Sequence, residues 1–336
     1  MKRVALVAAA ALLAVTMVVG CTKKESASTG KKIMVIFAGT EAASTGQSRA
    51  MEEMANTLNE SGLFDAQLQV AGALSNDTDN LVKQAIDGVP LVIPSDPGRL
   101  ASQFGIPDLN ILGAPYMLSD YAILEKIPEI PLYQEWETQL RANGISFVAD
   151  MYNGYRNIFT TTKVEKIADL KGLRIRGFGN DIGVALGKYF GFAQTSMSPN
   201  DVYSAGAAKS LDGTEIHWSS AMGYSLYEVF PYVAVTKHYI LQSSFVTGTK
   251  LLDSMTDEQR ELFVKTIRES AAKWSAIIAS EEQGLQDDYT ARIAGKGAVI
   301  EVDISEFENA IAPLFTNNDL KFSDGLRDTL LQQLGL

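Results

Sequence analysis

Tyr152-Asn153-Gly154-Tyr155-Arg156, followed by Gly172-Leu173-Arg174-Ile175-Arg176, places three arginines close together in a chain whose formal net charge is −11. Leu173 to Arg176 alternates apolar and charged, the period of a half-buried strand. Leu173 and Ile175 are therefore expected to face the core, with Arg174 and Arg176 on the other side. A guanidinium stays charged at any working pH and offers a rigid fork that fits a carboxylate bidentately. Arg176, helped by Arg156, is the candidate holder of a small-molecule carboxylate. The competing reading makes all three surface charges or partners for local Asp and Glu, since most arginines are solvated.

Upstream, Ile33 to Phe37 and Ala66 to Val70 read as strands, and Ser48 to Leu58 as an amphipathic helix with Met51, Met54, Ala55 and Leu58 inward. Asp79 to Ile86 reads as a helix stopped by Gly88, and Leu91 to Pro94 as a third strand. Strands alternating with helices at this spacing predict α/β units around a mainly parallel sheet. Ligands of such sheets sit beyond the carboxyl ends of strands, so the loops after Phe37 and after Pro94 are binding candidates on topology alone. Downstream, Ser146 to Tyr152 and Ile158 to Thr162 read as strand, Ile182 to Phe190 and Val202 to Lys209 as helices, and Glu215 to Trp218 as a strand. Val233 to Thr236 and Tyr239 to Gln242 look like strands crossing back toward the first domain.

A helix is expected over 256–295. Thr256 and Gln259 form a capping-box pattern, and Phe263, Ile267, Ala271, Trp274, Ile278, Leu285, Tyr289 and Ile293 make one apolar stripe. Such a helix runs about 50 Å, enough to brace two domains; the alternative is two helices broken near Gly284. Ala298 to Val302 and Ile304 to Phe315 close the fold as strand and helix, with a C-terminal helix or tail at 321–336.

The 336 residues, 46% hydrophobic, are enough for about two domains. Met1 to Cys21 reads as an export signal, with Lys2 and Arg3 before an apolar run too short to favour a membrane span. Val18-Val19-Gly20-Cys21 resembles a bacterial lipobox, which makes Cys21 the lipidated first residue of a mature, lipid-anchored, extracytoplasmic chain. It is the single cysteine, so no internal disulfide is possible. The residues 22–31, mostly Lys, Ser, Thr and Gly, read as a flexible tether. The acidic balance argues against nucleic acid as a partner. Two histidines and one acylated cysteine leave almost nothing for a zinc site, and no cofactor is expected.

With these runs in view, the chain resembles the TRAP-transporter extracytoplasmic solute-binding proteins, the DctP family. The resemblance rests on Tyr152 to Arg156, on Ile167-Ala168-Asp169-Leu170-Lys171-Gly172-Leu173-Arg174-Ile175-Arg176, on Asp201-Val202-Tyr203 and on Leu211-Asp212-Gly213. Ala114-Pro115-Tyr116 and the segment from Asp96 to Arg99 also fit. The resemblance implies a two-domain α/β clam like the class II periplasmic binding proteins, braced by the long helix. It implies domain I over 32–153 plus 242–281 and domain II over 154–241 plus 282–320. It also implies a non-enzymatic function: capture of a small organic acid for small and large membrane subunits that import it. Arg176 falls on the family's carboxylate clamp, Arg156 on an assisting arginine, and Asp96 and Arg99 on positions that can line the cleft. Gly179, Asn180 and Tyr203 complete the expected site.

Two departures shape the expected ligand. Where many members place an Asn after the Asp-Gly turn, this chain has Ile216, followed by His217 and Trp218. A polar position in the first loop of some members appears here as Phe37. Both changes point to a monocarboxylate with an apolar or aromatic body, unless Ile216 and Trp218 are core. His217 would be an acid sensor if it lined the cleft. Two other classes compete: a binding protein of another importer or a sensor, and a dinucleotide-dependent enzyme. The enzyme reading rests on Gly177-Phe178-Gly179-Asn180-Asp181-Ile182-Gly183, which lacks the third glycine of the usual spacing.

Overall fold

The computed structural model describes residues 32–336. The export segment, the acylation of Cys21 and the tether lie outside the described residues. In chain order the elements are β1 (Ile33–Ala38), α1 (Gly46–Glu60), β2 (Phe64–Gln69), α2 (Thr78–Asp87), β3 (Leu91–Ser95), α3 (Pro97–Phe104), α4 (Pro131–Ala142), β4 (Ile145–Thr160) and β5 (Arg174–Gly177). They continue with α5 (Asp181–Phe190), β6 (Ala193–Ser196), α6 (Pro199–Ala207), β7 (Gly213–His217), α7 (Trp218–Gly223), β8 (Tyr232–Val235), β9 (Ile240–Gly248) and α8 (Thr249–Asp253). The last are α9 (Asp257–Arg292), β10 (Ala298–Glu301), α10 (Ile304–Ile311), α11 (Pro313–Thr316) and α12 (Leu326–Leu334).

The strands follow the order β2-β1-β3-β9-β4-β7-β5-β6, with β8 on β4 and β10 on β8. The flanks are parallel, as the α/β alternation requires, but β4 pairs antiparallel with β9, β7 and β8. The sheet is therefore mixed rather than mainly parallel, because β4 and β9 each pass between two lobes. The first half of β4 pairs with β9 beside β1 to β3; the second half pairs with β7 and β8. The cores divide accordingly. One buried cluster holds Phe37, Met51, Leu91, Trp136 and Phe245 of lobe I, and two others cover the faces of the lobe II strands around Ile175 and Phe159.

At the passage between lobes the β4–β9 register shifts between Tyr152 and Tyr155. Gly154 sits in that irregularity at φ +110°, and a Cβ there would lie 3.0 Å from the Cβ of His217. Only glycine fits both the angle and the approach. The helix α9 is one piece of 36 residues, opened by the reciprocal Thr256–Gln259 capping box. Its buried face runs from Phe263, Ile267, Ala271 and Ile278 in the lobe I core to Tyr289 in a lobe II core. Glu282 of this helix pins the passage itself, accepting from the Tyr152 hydroxyl and from the Tyr155 backbone N–H.

Candidate functional site

Between the lobes lies a cavity of about 340 Å³, the size of a small-metabolite pocket. Lobe I supplies Thr40, Glu41 and Gln47 after β1, Ser95, Asp96 and Arg99 after β3, and Asn153 from the irregular turn of β4. Lobe II supplies Arg176, Phe178, Gly179 and Ser196 to Pro199. Among the described residues, Pro94, Phe178, Met197, Pro199 and Leu241 are the apolar side chains on the wall. The lobes touch across it: Asn200 and Tyr224 donate to the Thr40 carbonyl at 3.2 and 3.1 Å, and Asn180 donates to Asp96 at 3.1 Å.

Arg176 leaves β5 on the face expected from the alternation, while Ile175 is fully buried behind it. Arg174, the first residue of β5, meets a different fate, exposed and forked onto Asp212 at 2.8 Å. Arg176 is 2% exposed. Among the described residues its side chain makes one hydrogen bond, from Nε to the Met197 carbonyl at 3.0 Å, and no ion pair. Burial, and next the nearby charge of Arg156, push its pKa down to about 10. A buried cation without a counter-ion is costly. Here its free guanidinium nitrogens face the cleft.

Arg156 has a different occupation. It is ion-paired through Nε to Glu215 of β7 and also donates to the Glu215 carbonyl, with both side chains 2% exposed. Its guanidinium lies on the Phe178 ring, 4.1 Å from the centroid, whereas Arg176 and Arg99 stand at 5.8 Å. Burial works against ionisation of Glu215, but the Arg156 charge outweighs it and holds the pKa near about 2. His238 completes the unit: its ring takes Thr236 Oγ1 at 2.8 Å on Nδ1 and faces Glu215 at 3.4 Å with Nε2. Arg156 does not line the cavity; it sits behind Phe178 and is neutralised there.

Asp96 and Arg99 both line the cleft. Asp96 caps α3 by accepting from the Arg99 N–H at 2.8 Å, which turns the expected loop after β3 into a helix with Pro97 in its first turn. Arg99 pairs with Asp79 at 3.2 Å and Asp96 at 3.5 Å. Gly179 lines the cleft as well. Asn180 does not; its side chain caps α5 at the Gly183 N–H, 2.9 Å away.

Five more expected site residues point elsewhere. Phe37 is fully buried in the lobe I core, because β1 is central there. Ile216 and Trp218, 1% and 3% exposed, belong to a lobe II core, where Trp218 packs edge-on against Phe159 and Tyr289. Tyr203 is outside the cavity lining and donates to Glu228. The premise of an apolar ligand body, which rested on Phe37 and Ile216, is therefore corrected: the wall is polar. His217 is fully buried at the start of α7, where Nδ1 accepts from the Ser220 N–H at 3.4 Å. Burial, then Arg156, push its pKa down to about 3, so it stays neutral through the physiological range.

Several lining groups escaped the sequence. Asn153 is fully buried, and neither its amide oxygen nor its nitrogen has a partner among the described residues; the same holds for the Ser95 and Ser198 hydroxyls. Buried polar groups are normally bonded, and these line the cleft with their hydrogen-bonding capacity unused. Asn153 lay in the first run quoted above, next to the glycine that twists it inward. Glu41 lay in the loop that topology had marked.

Residues 37–319 match the family described as bacterial extracellular solute-binding protein, family 7 (DctP). A solute-binding protein of Verminephrobacter eiseniae is 25% identical over 65% of this chain and 64% of its own length. The 2,3-diketo-L-gulonate-binding periplasmic protein YiaO of Escherichia coli is 23% identical over 61% and 62%. The chain thus spans slightly under two-thirds of these relatives. Among solved structures, a TRAP periplasmic solute-binding protein of Actinobacillus succinogenes with bound L-galactonate shares the fold with a TM-score of 0.84. That match has 24% identity and covers 90% of this chain and 99% of that one. The Ochrobacterium anthropi protein with bound L-fuconate gives a TM-score of 0.85 at 21% identity over 90% and 100%. The match over 37–319 is to a family of binding proteins, not enzymes, and this chain belongs to it, as a DctP-type bacterial extracellular solute-binding protein of family 7.

Proposed function

We propose that this protein is the binding component of a TRAP-type transporter and that it captures a hydroxylated organic acid. Its carboxylate docks on Arg176, and its hydroxyls meet Asn153, Ser95 and Ser198. The observation that carries this is Arg176 itself, a buried guanidinium in the cleft with no carboxylate at ion-pair distance among the described residues. A ligand carboxylate supplies the missing charge and both free nitrogens at once. The polar wall favours a sugar-acid body over an aromatic or branched one, and the relatives with bound L-galactonate and L-fuconate support that class. Closure occurs about β4, β9 and α9, which run from one lobe to the other. The loaded protein hands its acid to small and large membrane subunits from outside the cytoplasm, held to the membrane by lipid on Cys21. The test is a thermal-shift and calorimetric screen in which hexonates and uronates are compared with the corresponding neutral sugars and with phenylacetate. Stabilisation by the sugar acids alone is expected; equal stabilisation by galactose or a larger shift with phenylacetate contradicts the proposal.

A further inference from the structure

The cleft carries two arginines against four carboxylates, those of Glu41, Asp77, Asp79 and Asp96. Asp79 and Asp96 are paired with Arg99, and Asp77 caps α2 at the Asp79 N–H. Glu41 has no cation within salt-bridge distance among the described residues except the ring of His217, whose Nε2 lies 3.9 Å from Oε1. That ring is neutral, and its tautomer is fixed by neighbours. The Ser220 N–H donates to Nδ1, so the ring proton is on Nε2, 3.0 Å from the Ser220 oxygen. Ser220 then turns its own hydroxyl proton to Glu41 Oε2. The relay runs one way, from imidazole to hydroxyl to carboxylate, and ends on an acceptor. The Glu41 side chain is only 13% exposed and stands in the same pocket as Arg176. Burial raises its pKa, against the pull of Ser220, Arg176 and Arg156.

We propose that Glu41 is the charge selector of this site: it admits a hydroxylated monocarboxylate and rejects ligands with a second carboxylate or a phosphate. The inference rests on the reading that Arg176 holds the first carboxylate. With Arg176 saturated by one carboxylate and Arg99 already shared by two aspartates, a second anionic group entering this pocket finds no free cation and meets Glu41. A hydroxyl at that place can instead donate to the carboxylate.

The experiment uses two pairs of acids that differ only in oxidation of the terminal carbinol: D-galactonate with galactarate, and L-threonate with L-tartrate. Affinities are measured by titration calorimetry for wild type and Glu41→Gln, which keeps an oxygen for the Ser220 hydroxyl but removes the charge. Two like charges a few ångströms apart in a protein cleft correspond to a factor on the order of 30 in affinity. Wild type should prefer the monoacid of a pair at least tenfold, and Glu41→Gln should erase most of that ratio by gaining diacid affinity. Wild type preferring the diacid, or Glu41→Gln keeping the ratio, overturns the selector and leaves the Arg176 reading standing. Equal weakening of both acids assigns Glu41 to holding the lobes together and also overturns it. If no acid binds either protein, the acid-binding reading fails and this inference falls with it. Should Glu41→Gln melt far below wild type, Glu41→Ser is measured against the same ratios.

Discussion

A buried cation that waits for its partner should harm the empty protein, and Arg176 offers a way to measure that. Its pKa, pushed down from the ordinary arginine value to about 10 by burial and by Arg156, means that the charged form is less favourable in the folded chain than in the unfolded one. At neutral pH both states carry the proton, so the penalty is fully present and is relieved only as pH rises through the folded value. It is on the order of 3 kcal/mol. Arg176→Met keeps most of the side-chain volume and removes the charge. It also forfeits the bond to the Met197 carbonyl, worth about 1 kcal/mol. The variant should therefore be more stable than wild type when empty, by about 1–2 kcal/mol, in urea unfolding at neutral pH. With a bound acid the order reverses. Losing one partner of a desolvated charge pair costs about 2–5 kcal/mol, roughly 30-fold to several thousandfold in affinity for an acid such as D-galactonate. Higher empty-state stability together with lost binding is the signature of a ligand clamp. A variant that is less stable when empty, yet binds acids as wild type does, would falsify the assignment and make Arg176 a structural residue.

The other arginine gives the opposite expectation. Arg156→Met strands Glu215 as a buried, unpaired carboxylate, which should cost about 3–5 kcal/mol in unfolding free energy; a loss under 1 kcal/mol contradicts the buried-pair account. Glu282→Ala removes the acceptor for both the Tyr152 hydroxyl and the Tyr155 N–H and should cost about 1–3 kcal/mol in the same assay, with no change expected if the passage between lobes is held otherwise. His217, with its pKa held near about 3 by burial, takes up its proton only on unfolding between the ordinary histidine range and that value. Stability attributable to it is thus present above about pH 6.5 and lost as pH falls toward 3. Between pH 6 and 4, His217→Asn, which can keep the cap on α7, should decline less steeply than wild type by about 1.4 kcal/mol per pH unit; parallel melting curves over that interval rule this out.

Much of the site was legible because period carries direction. The alternation of Leu173 to Arg176 put Arg176 and the core on opposite sides, and the stripe from Phe263 to Tyr289 gave one long helix. What stayed hidden depends on partners distant in sequence. Arg156 looked like a second ligand arginine, because its ion pair is made across the β4–β7 register, where Arg156 faces His217 and Glu215 lies two positions on. Along β7 every residue is buried, so alternation could not say which side of Ile216 was core, and the expected apolar ligand failed on that point. The strand β6, Ala193-Gln194-Thr195-Ser196, has no apolar pattern and exists through its pairing with β5. The helix α3 was expected only as the loop after Pro94; Asp-Pro-Gly is compatible with a turn, but the Asp96 cap and Pro97 in the first turn open a helix there.

In the proposed function, one guanidinium without an ion pair grips the carboxylate of a hydroxylated acid between two lobes. A crystal structure of the natively purified protein soaked with D-galactonate tests it most directly. The carboxylate is expected bidentate on Arg176, with hydroxyls within hydrogen-bond distance of Asn153 and Glu41, and Arg156 still on Glu215. An acid bound with its carboxylate away from Arg176, or Arg156 released from Glu215 to take it, would contradict the claim.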